Sequence, residues 1–328
     1  MKCVTYSEFG PSSKVLKYQE FPTPEPKKGE VLVKLHFSGV NPSDAKARAG
    51  SRPGVLKPQF DTIIPNSDGS GEIIKIGKEV DKKRLGERVW IWNGQWQRPY
   101  GTASEFIALP NEQAIAIPDK MSFETGACLG IPGLTAAQCT LGDGSLKGKT
   151  ILISGGAGSV GNLSIQLAKW SGARVIATGS ATGFDRINNA GADYIFEYND
   201  TQLAQKILDI SPSGVDRVIE VEFGTNINLF PEIMRPYSVL SVYGSAKNMV
   251  PTIPFGLYLY KGIKISIELI YILPQTHRLR AIQNLHDAHT DKALVPEIEK
   301  IYNLSECALA HDKSLTPGRA GAILLNTG

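Results

Sequence analysis

The amino-acid sequence predicts an α/β protein with two domains, one a β-rich barrel-like unit and the other a doubly wound parallel sheet. Three observations support this prediction. The chain has 328 residues, which is more than a single hydrophobic core usually serves. Its first third carries short apolar segments separated by stretches rich in Pro, Gly and Asn. From about residue 123 onward, strand-like segments alternate with helical ones, as they do in parallel sheets.

The β-rich region contains apolar segments of strand length, in which hydrophobic residues alternate with polar ones or run continuously. Turn-forming stretches such as residues 22–26 and 41–44 separate them. Short strands at this spacing predict a compact antiparallel unit. The predicted strands cover residues 31–35, 71–76, 88–92 and 105–109.

The second region begins with a strand at residues 150–154, which runs into a glycine cluster and then into an amphipathic helix. The apolar face of that helix carries Val160, Leu163, Leu167 and Trp170. Strands that alternate with helices predict a parallel, doubly wound sheet. The further predicted elements are strands at 174–178, 194–196, 217–219, 239–242 and 263–267, and helices near Asp185 and over 203–210.

Two elements remain after the parallel sheet, a helix around residues 279–285 and a terminal strand at 321–325. We expect both to return to the β-rich domain. The predicted β-rich domain therefore comprises residues 1–122 and 270–328, and the predicted parallel-sheet domain comprises residues 123–269.

Composition and charge narrow the possible function classes. Hydrophobic residues make up 42% of the chain and charged residues 20%, a balance typical of globular proteins. A net charge of +3 without a basic block argues against nucleic acid as a partner. No apolar run approaches the roughly 20 residues that span a bilayer, so we expect no membrane association.

The N-terminus and the cysteines favour a cytoplasmic location. The segment Met1–Thr5 lacks an apolar signal region, so we do not expect secretion. The cysteines are far apart in the sequence and form no pair with the spacing of metal ligands, which is typical of free thiols in a reducing compartment. They are Cys3, Cys128, Cys139 and Cys307.

A glycine-rich segment directly follows the strand at 150–154. The residues Gly156-Ala157-Gly158-Ser159-Val160-Gly161 match the G-x-G-x-x-G pattern. Such glycines permit a tight turn, close approach of the backbone to a pyrophosphate, and tight packing of helix on strand. The helix N-terminus adds N–H groups and a positive dipole end. Because the pattern lies between a strand and an amphipathic helix, it predicts a Rossmann dinucleotide site formed by Gly156, Gly158, Ser159, Val160 and Gly161.

The end of the next strand favours NADPH over NADH. An NAD site carries an acidic residue there, about 20 positions after the glycines, to bind the ribose 2′-hydroxyl. This chain has Ser180 and Thr182 instead, and its first carboxylate in this stretch is Asp185. Small hydroxyl residues leave room for a 2′-phosphate, and Arg186 is close in sequence. The alternative interpretation is that Ser180 and Thr182 only build a turn.

The order of several short motifs along the whole chain resembles a known family, the zinc-free, zeta-crystallin-like quinone oxidoreductases of the medium-chain dehydrogenase/reductase superfamily. The resemblance implies a GroES-like barrel domain followed by a Rossmann domain. The motifs are Ser38-Gly39-Val40-Asn41-Pro42-Ser43-Asp44, Asn66-Ser67-Asp68-Gly69-Ser70-Gly71-Glu72, Leu85-Gly86-Glu87-Arg88-Val89, Gly130-Ile131-Pro132-Gly133-Leu134-Thr135-Ala136 and Gly318-Arg319-Ala320-Gly321-Ala322-Ile323-Leu324-Leu325.

The resemblance also predicts the absence of a metal. Alcohol dehydrogenases of this superfamily hold a catalytic zinc with a Cys and a His-Glu pair, and the corresponding residues here are Asn41 and Ser67-Asp68. These residues do not supply the ligands of a tetrahedral Zn²⁺. Without a Lewis acid, hydride transfer to an already electrophilic acceptor is easier than oxidation of an alcohol.

The resemblance further implies roles for single residues. Asn41 lies near the nicotinamide and the acceptor, and Thr135 near the nicotinamide ribose. Gly158, Ser159 and Val160 contact the pyrophosphate. The 2′-phosphate end is surrounded by Ser180, Tyr198 and Arg319.

The chain departs from its relatives at two positions of that site. Many relatives have a Tyr where this chain has Lys46, so the proton donor stays open and the catalytic candidates are Asn41 and Lys46. Some relatives use a Lys for the 2′-phosphate where this chain has Gly183, which weakens the argument for NADPH.

These observations predict an NADPH-dependent quinone reductase. An NADPH-dependent enone or alkenal double-bond reductase is the first alternative, because variable loops shape the acceptor pocket. The second alternative is a dinucleotide-binding or RNA-binding protein with low turnover. By resemblance, we expect a homodimer in which the strand at 263–267 pairs with its copy.

Overall fold

The computed structural model describes residues 1–51 and 54–328, and these divide into two compact units. The first unit comprises Met1–Ile131 and Pro296–Gly328, and the second comprises Pro132–Val295. Within the described ranges, no helix is both long enough and apolar enough to cross a membrane.

The strands and helices are numbered in chain order. The strands are β1 (Lys2–Thr5), β2 (Lys17–Glu20), β3 (Glu30–Val40), β4 (Asp68–Ile76), β5 (Arg88–Ile91), β6 (Phe106–Pro110), β7 (Ala114–Ala116), β8 (Thr150–Ile153), β9 (Arg174–Gly179), β10 (Tyr194–Glu197), β11 (Val215–Glu220), β12 (Met234–Val242), β13 (Lys264–Ile267), β14 (Ile298–Asn303) and β15 (Ala322–Asn326). The α-helices are α1 (Ser12–Val15), α2 (Pro42–Arg48), α3 (Phe123–Ala127), α4 (Leu134–Leu141), α5 (Ser159–Trp170), α6 (Phe184–Asn189), α7 (Leu203–Ile210), α8 (Phe223–Asn226), α9 (Phe230–Ile233), α10 (Phe255–Lys261), α11 (Gln275–Thr290) and α12 (Cys307–Leu315). Short 3₁₀ turns occupy Lys82–Arg84, Asn111–Gln113, Ala181–Gly183, Ile270–Ile272 and Leu304–Glu306, and a π-helical turn occupies Leu129–Gly133.

The long strand β3 organises the first unit. It pairs in antiparallel fashion with β4, β6 and β15, within a sheet of order β14-β15-β3-β4-β5-β7. Val31, Val33 and Leu35 alternate along β3 and pack in one core with buried residues of β4, β5 and β6. These three residues share one face of the strand, which lies in this core, and Leu32 on the other face is buried as well. The β-rich first region predicted from the sequence is therefore present.

The second unit contains a parallel sheet of order β10-β9-β8-β11-β12-β13. Since the strand order reverses beside β8, the loops after β8 and β11 open at the switch point where doubly wound sheets bind ligands. The core beneath is built from fully buried side chains such as Ile176, Val218, Phe230 and Leu240. The predicted doubly wound sheet is confirmed by this topology.

The C-terminal part of the chain corrects one prediction. The terminal strand β15 pairs with β3, as expected, but α11 belongs to the second unit. The Arg280 guanidinium donates to the Gly142 carbonyl oxygen at 2.8 Å, and His277 Nδ1 lies 3.3 Å from Gln138 Nε2. The predicted boundaries at 122/123 and 269/270 thus lie at 131/132 and 295/296, because α11 packs on α4.

Replacing Leu325 by Ala tests whether β15 completes the first core. Leu325 is fully buried among residues of both ends of the chain, so its truncation leaves a cavity. We expect Leu325→Ala to lower the free energy of unfolding by about 2–5 kcal/mol in urea titrations. Leu309→Ala on α12 is the matched control, since Leu309 is 57% exposed, and should cost less than about 0.5 kcal/mol. Equal effects of the two substitutions would contradict the assignment.

Candidate functional site

The glycine loop of the second unit connects β8 to α5. Its backbone packs so closely on neighbouring atoms that a side chain on Gly156 or Gly161 would not fit. Gly155 has φ +63°, in the left-handed region. A Cβ on Gly161 would lie 2.3 Å from the Gly155 carbonyl oxygen, and one on Gly156 would lie 3.0 Å from Ile165 Cδ1. The loop can therefore lie this close to the helix and the sheet only with glycine at these positions.

The loop ends at the N-terminus of α5. Gly158 is the exposed N-cap with extended backbone, and the first bond inside the helix runs from the Asn162 N–H to the Gly158 carbonyl oxygen at 2.8 Å. The N–H groups of Ser159, Val160 and Gly161 precede that bond, at the positive end of the helix dipole. An anion such as a pyrophosphate is stabilised at such a position. The glycine cradle and the helix end thus fit a dinucleotide, in agreement with the motif.

The carboxyl end of β9 carries the residues predicted for the 2′-phosphate. Ser180 directly follows β9 and precedes the 3₁₀ turn, and its Oγ lies 3.0 Å from Thr182 Oγ1. The two residues form a turn, and their hydroxyl groups lie at this edge of the sheet. Their contact with a 2′-phosphate stays a prediction. The Tyr198 N–H donates to the Gly179 carbonyl oxygen at 3.1 Å, which places the exposed Tyr198 beside Ser180.

Arg186 has a different role from the one suggested by its position in the sequence. Its guanidinium donates to the Ala157 carbonyl oxygen in the glycine loop. Asn162 Nδ2 donates to the Arg186 carbonyl oxygen at 3.2 Å. Arg186 therefore fastens α6 to the loop and to α5.

In the first unit, Asn41 is held from two directions at the end of β3. Its backbone N–H donates to Asp44 Oδ2 at 2.8 Å, which caps the start of α2. Its side-chain Nδ2 donates to Asp68 Oδ2 at 2.7 Å, and both side chains are buried. The Asn41 amide is thus fixed in one orientation. Lys46 lies further along α2 with an exposed side chain.

Asp68 is the residue that orders this part of the unit. Both of its carboxylate oxygens accept from the Ile131 N–H, at 2.9 and 2.8 Å, in addition to Asn41. A Cβ on Gly130 would lie 2.1 Å from Asp68 Oδ1, so the π-helical turn approaches the carboxylate closely only because residue 130 is glycine. Burial, and then the charge of Asp44, raise the pKa of Asp68 well above its usual range, while the two hydrogen bonds act in the opposite direction.

Of the remaining predicted site residues, one lies in the second unit and the other in the first. Thr135 is buried in the first turn of α4 in the second unit. Arg319 lies in the first unit, near the start of β15. The second unit therefore brings together the glycine loop, Ser180, Thr182 and Tyr198, and the first unit contains Asn41, Lys46 and Arg319.

The sequence did not predict that Asp68 holds Asn41, nor that a lysine on the loop after β12 contacts Tyr198. The Lys247 ammonium lies over the Tyr198 ring, 5.8 Å from its centroid. Asp68 had a readable signal, because it is the one acidic residue within Asn66–Gly71. Lys247 had none, since it lies about 50 residues from Tyr198 in the sequence.

Comparisons with known proteins agree with this architecture. The family model of the alcohol dehydrogenase GroES-like domain matches residues 27–119, and that of the zinc-binding dehydrogenases matches residues 159–284. A chloroplastic quinone-oxidoreductase from Triphysaria versicolor is 28% identical over 99% of this chain and 98% of its own length. A chloroplastic quinone-oxidoreductase homolog from Spinacia oleracea is 32% identical over 65% of this chain and 65% of its own length, so the match spans less than two thirds of that relative.

A solved mycobacterial protein in complex with NADPH shares the fold. Its TM-score is 0.85 at 24% identity, over 99% of this chain and 100% of the other. This likeness shows the fold. The two domain matches and the quinone-oxidoreductase relatives show that the chain belongs to the medium-chain dehydrogenase/reductase superfamily. Within that superfamily it is quinone-oxidoreductase-like. The predicted GroES-like and Rossmann domains are confirmed.

A catalytic zinc, which the second family model implies by its description, does not fit the residues present. The corresponding positions hold Asn41, Ser67 and Asp68, of which only Asp68 is a ligand type for zinc. Its carboxylate oxygens accept from the Ile131 N–H and from Asn41 Nδ2. Within residues 1–51 and 54–328, no three His, Cys, Asp or Glu side chains cluster in a way that could hold a metal ion.

Adding a methyl group at Gly161 tests the glycine cradle. Gly161→Ala forces the loop away from α5, so we expect a dissociation constant for NADPH at least about tenfold higher, and a stability loss of about 1–3 kcal/mol. Gly256→Ala in α10 is the control, because a Cβ there meets nothing within 4 Å. Calorimetric titration and thermal unfolding measure both effects. Unchanged NADPH affinity in Gly161→Ala would contradict the cradle.

Asp68 makes a pH-dependent contribution to stability. Because its pKa is higher in the folded than in the unfolded chain, the free energy of unfolding falls as pH rises from about 4 through the raised pKa. Asp68→Asn removes this titration. We therefore expect wild-type stability minus variant stability, from urea unfolding between about pH 4 and 8, to decrease with pH. A difference that is constant or that rises with pH would contradict this account.

Proposed function

We propose that this protein is an NADPH:quinone oxidoreductase that works without zinc. The observation that carries the proposal is the glycine cradle at the start of α5 next to a β9 end that bears hydroxyl groups. Ser180 and Thr182 occupy the place where NAD-dependent enzymes carry a carboxylate. A carboxylate would repel a 2′-phosphate, whereas hydroxyl groups can donate to it.

The proposed class of acceptor follows from the residues at the zinc positions, which cannot provide a Lewis acid to activate a substrate. The residues at the zinc positions do not fit a metal, so the proposed substrate is one that is electrophilic without a Lewis acid. A quinone meets this condition, and two relatives bear the name quinone-oxidoreductase. When bound, NADPH supplies the hydride, and one proton is needed to complete the hydroquinone.

Four residues of this chain are assigned roles in the proposed hydride transfer from NADPH to a quinone. Asn41 orients the acceptor and the nicotinamide, since Asp68 and Asp44 fix its amide and its backbone. Thr135 is assigned to the nicotinamide ribose and Arg319 to the 2′-phosphate. Lys46, whose ammonium is exposed, is the candidate source of the proton.

Oxidation of NADPH, followed at about 340 nm, tests the proposal with 1,4-benzoquinone, 9,10-phenanthrenequinone and an alkenal as acceptors. We expect faster oxidation with the quinones, and faster oxidation of NADPH than of NADH. Activity with the alkenal alone would instead indicate a double-bond reductase. Binding of NADPH without oxidation by any acceptor would indicate a binding protein of low turnover.

Ser180→Asp tests the cofactor assignment. A carboxylate at the end of β9 repels the 2′-phosphate and accepts from a ribose 2′-hydroxyl. We expect kcat/KM for NADPH to fall about tenfold or more while that for NADH is kept or rises. Ser213→Asp is a control with the same charge change at an exposed residue just before β11, at the opposite edge of the parallel sheet. An equal loss with both cofactors would contradict the assignment.

We also propose that the protein forms a homodimer through β13. This strand ends the parallel sheet, and Ile267 on it is 77% exposed. Neighbouring apolar side chains of α10, Phe255, Leu259 and Tyr260, are also exposed. A second copy of the strand would extend the sheet and cover these side chains.

Ile267→Lys tests the dimer, because a charge on an edge strand opposes pairing. We expect a smaller sedimentation coefficient for the variant than for the wild type. Ile301→Lys is the control. Ile301 is 42% exposed on β14, which is the terminal strand of the large sheet in the first unit. Dissociation in the control variant only would place the interface on the first unit.

A further inference from the structure

We propose that Lys247 provides a positive charge that binds the 2′-phosphate of NADPH and so contributes to cofactor specificity. This inference rests on the proposed function and adds a residue to the cofactor site. It depends on one juxtaposition within the second unit. The loops after β9, β10 and β12 meet, with Ser180, Tyr198 and Lys247 as the residues that they contribute.

Backbone contacts connect the first two of these residues. The Tyr198 N–H donates to the carbonyl oxygen of Gly179 at 3.1 Å, directly before Ser180. The exposed Tyr198 ring thus lies beside the hydroxyl groups at the end of β9. The Lys247 ammonium is 5.8 Å from the centroid of that ring, within the range of a cation–π contact.

The loop that carries Lys247 is fixed in position. The Glu222 carboxylate accepts from the backbone N–H groups of Ala246 and Lys247, at 3.1 and 2.7 Å. Ser245 Oγ accepts from the Gly224 N–H at 2.8 Å, and Ser245 also forms an isolated bridge with Glu222. The loop after β12 is therefore folded back over the start of α8. Its lysine extends from an anchored backbone to Tyr198, which follows β10.

Arg319, which the proposed function assigns to the 2′-phosphate, belongs to the first unit, so Lys247 supplies a charge from the second unit. The guanidinium of Arg186 donates to the Ala157 carbonyl oxygen, and Gly183 has no side chain. The hydroxyl groups of Ser180 and Thr182 are neutral donors. A phosphate monoester carries a charge of about −1.5 to −2 at neutral pH, and a flexible ammonium suits it as a point charge. Lys247 is exposed, and its ammonium lies over the ring of Tyr198, whose backbone N–H is bonded to the residue before Ser180.

The test compares two nucleotides that differ only in the 2′-phosphate, adenosine 2′,5′-bisphosphate and adenosine 5′-monophosphate. Their dissociation constants are measured by calorimetry for the wild type, Lys247→Met and Lys247→Arg. We expect Lys247→Met to weaken bisphosphate binding about tenfold and to leave monophosphate binding unchanged. Lys247→Arg should restore most of the bisphosphate affinity, since it keeps the charge.

Lys149→Met is the matched control. It removes the same charge from an exposed lysine directly before β8, at the opposite end of the parallel sheet. Both affinities should stay at the wild-type values in this variant. Raised salt should reduce the bisphosphate preference of the wild type more than that of Lys247→Met.

Three results would overturn the proposal. Equal weakening of both nucleotides in Lys247→Met would show that the lysine only holds the loops together. Unchanged bisphosphate affinity in that variant, with a wild type that prefers bisphosphate, would reject Lys247 and leave NADPH as the cofactor. A wild type that binds the monophosphate as tightly as the bisphosphate would reject the NADPH assignment itself, and Lys247 with it.

Discussion

The contact between the carbonyl group of Gly155 and the backbone of Gly161 is the constraint on which the rest of the cofactor site depends. It brings the end of β8 against the first turn of α5 at a distance that no side chain permits. The N–H groups of that turn consequently lie at the carboxyl edge of the sheet, at the switch point between β8 and β11. Ser180, Tyr198 and Lys247 surround this edge because the loops after β9, β10 and β12 end on the same side of a parallel sheet.

In the first unit, a buried carboxylate positions the candidate site residue, whereas in the second unit the glycine backbone forms the candidate site. Asp68 accepts from Asn41 and from the N–H of Ile131, and so it holds a candidate catalytic amide and the π-helical turn together. A buried carboxylate is costly unless it is protonated or well hydrogen-bonded. The same arrangement that fixes Asn41 directs the Asp68 oxygens to donors of the protein itself.

Much of the fold was predictable because it depends on local patterns. The period of β3, the strand-glycine-helix order around Gly158 and the alternation after β8 all depend on neighbours in the sequence. The assignment of α11 was wrong because its partners, Gln138 and Gly142, lie more than a hundred residues away, and nothing in its own pattern names them.

Only the part of the site that depends on local patterns was predictable. The glycines and Ser180 follow from a motif, whereas the link between Lys247 and Tyr198 comes from tertiary folding of the loop held by Glu222. The buried position of Asp68 likewise follows from Gly130, whose missing side chain makes room for the carboxylate.

Calorimetric titration of the wild-type chain with NADPH, and separately with NADH, tests the central claim most directly. The account predicts one NADPH bound per chain, with a dissociation constant clearly lower than that for NADH, because the 2′-phosphate meets hydroxyl groups and no carboxylate. Absence of binding by either nucleotide, or tighter binding of NADH, would contradict it.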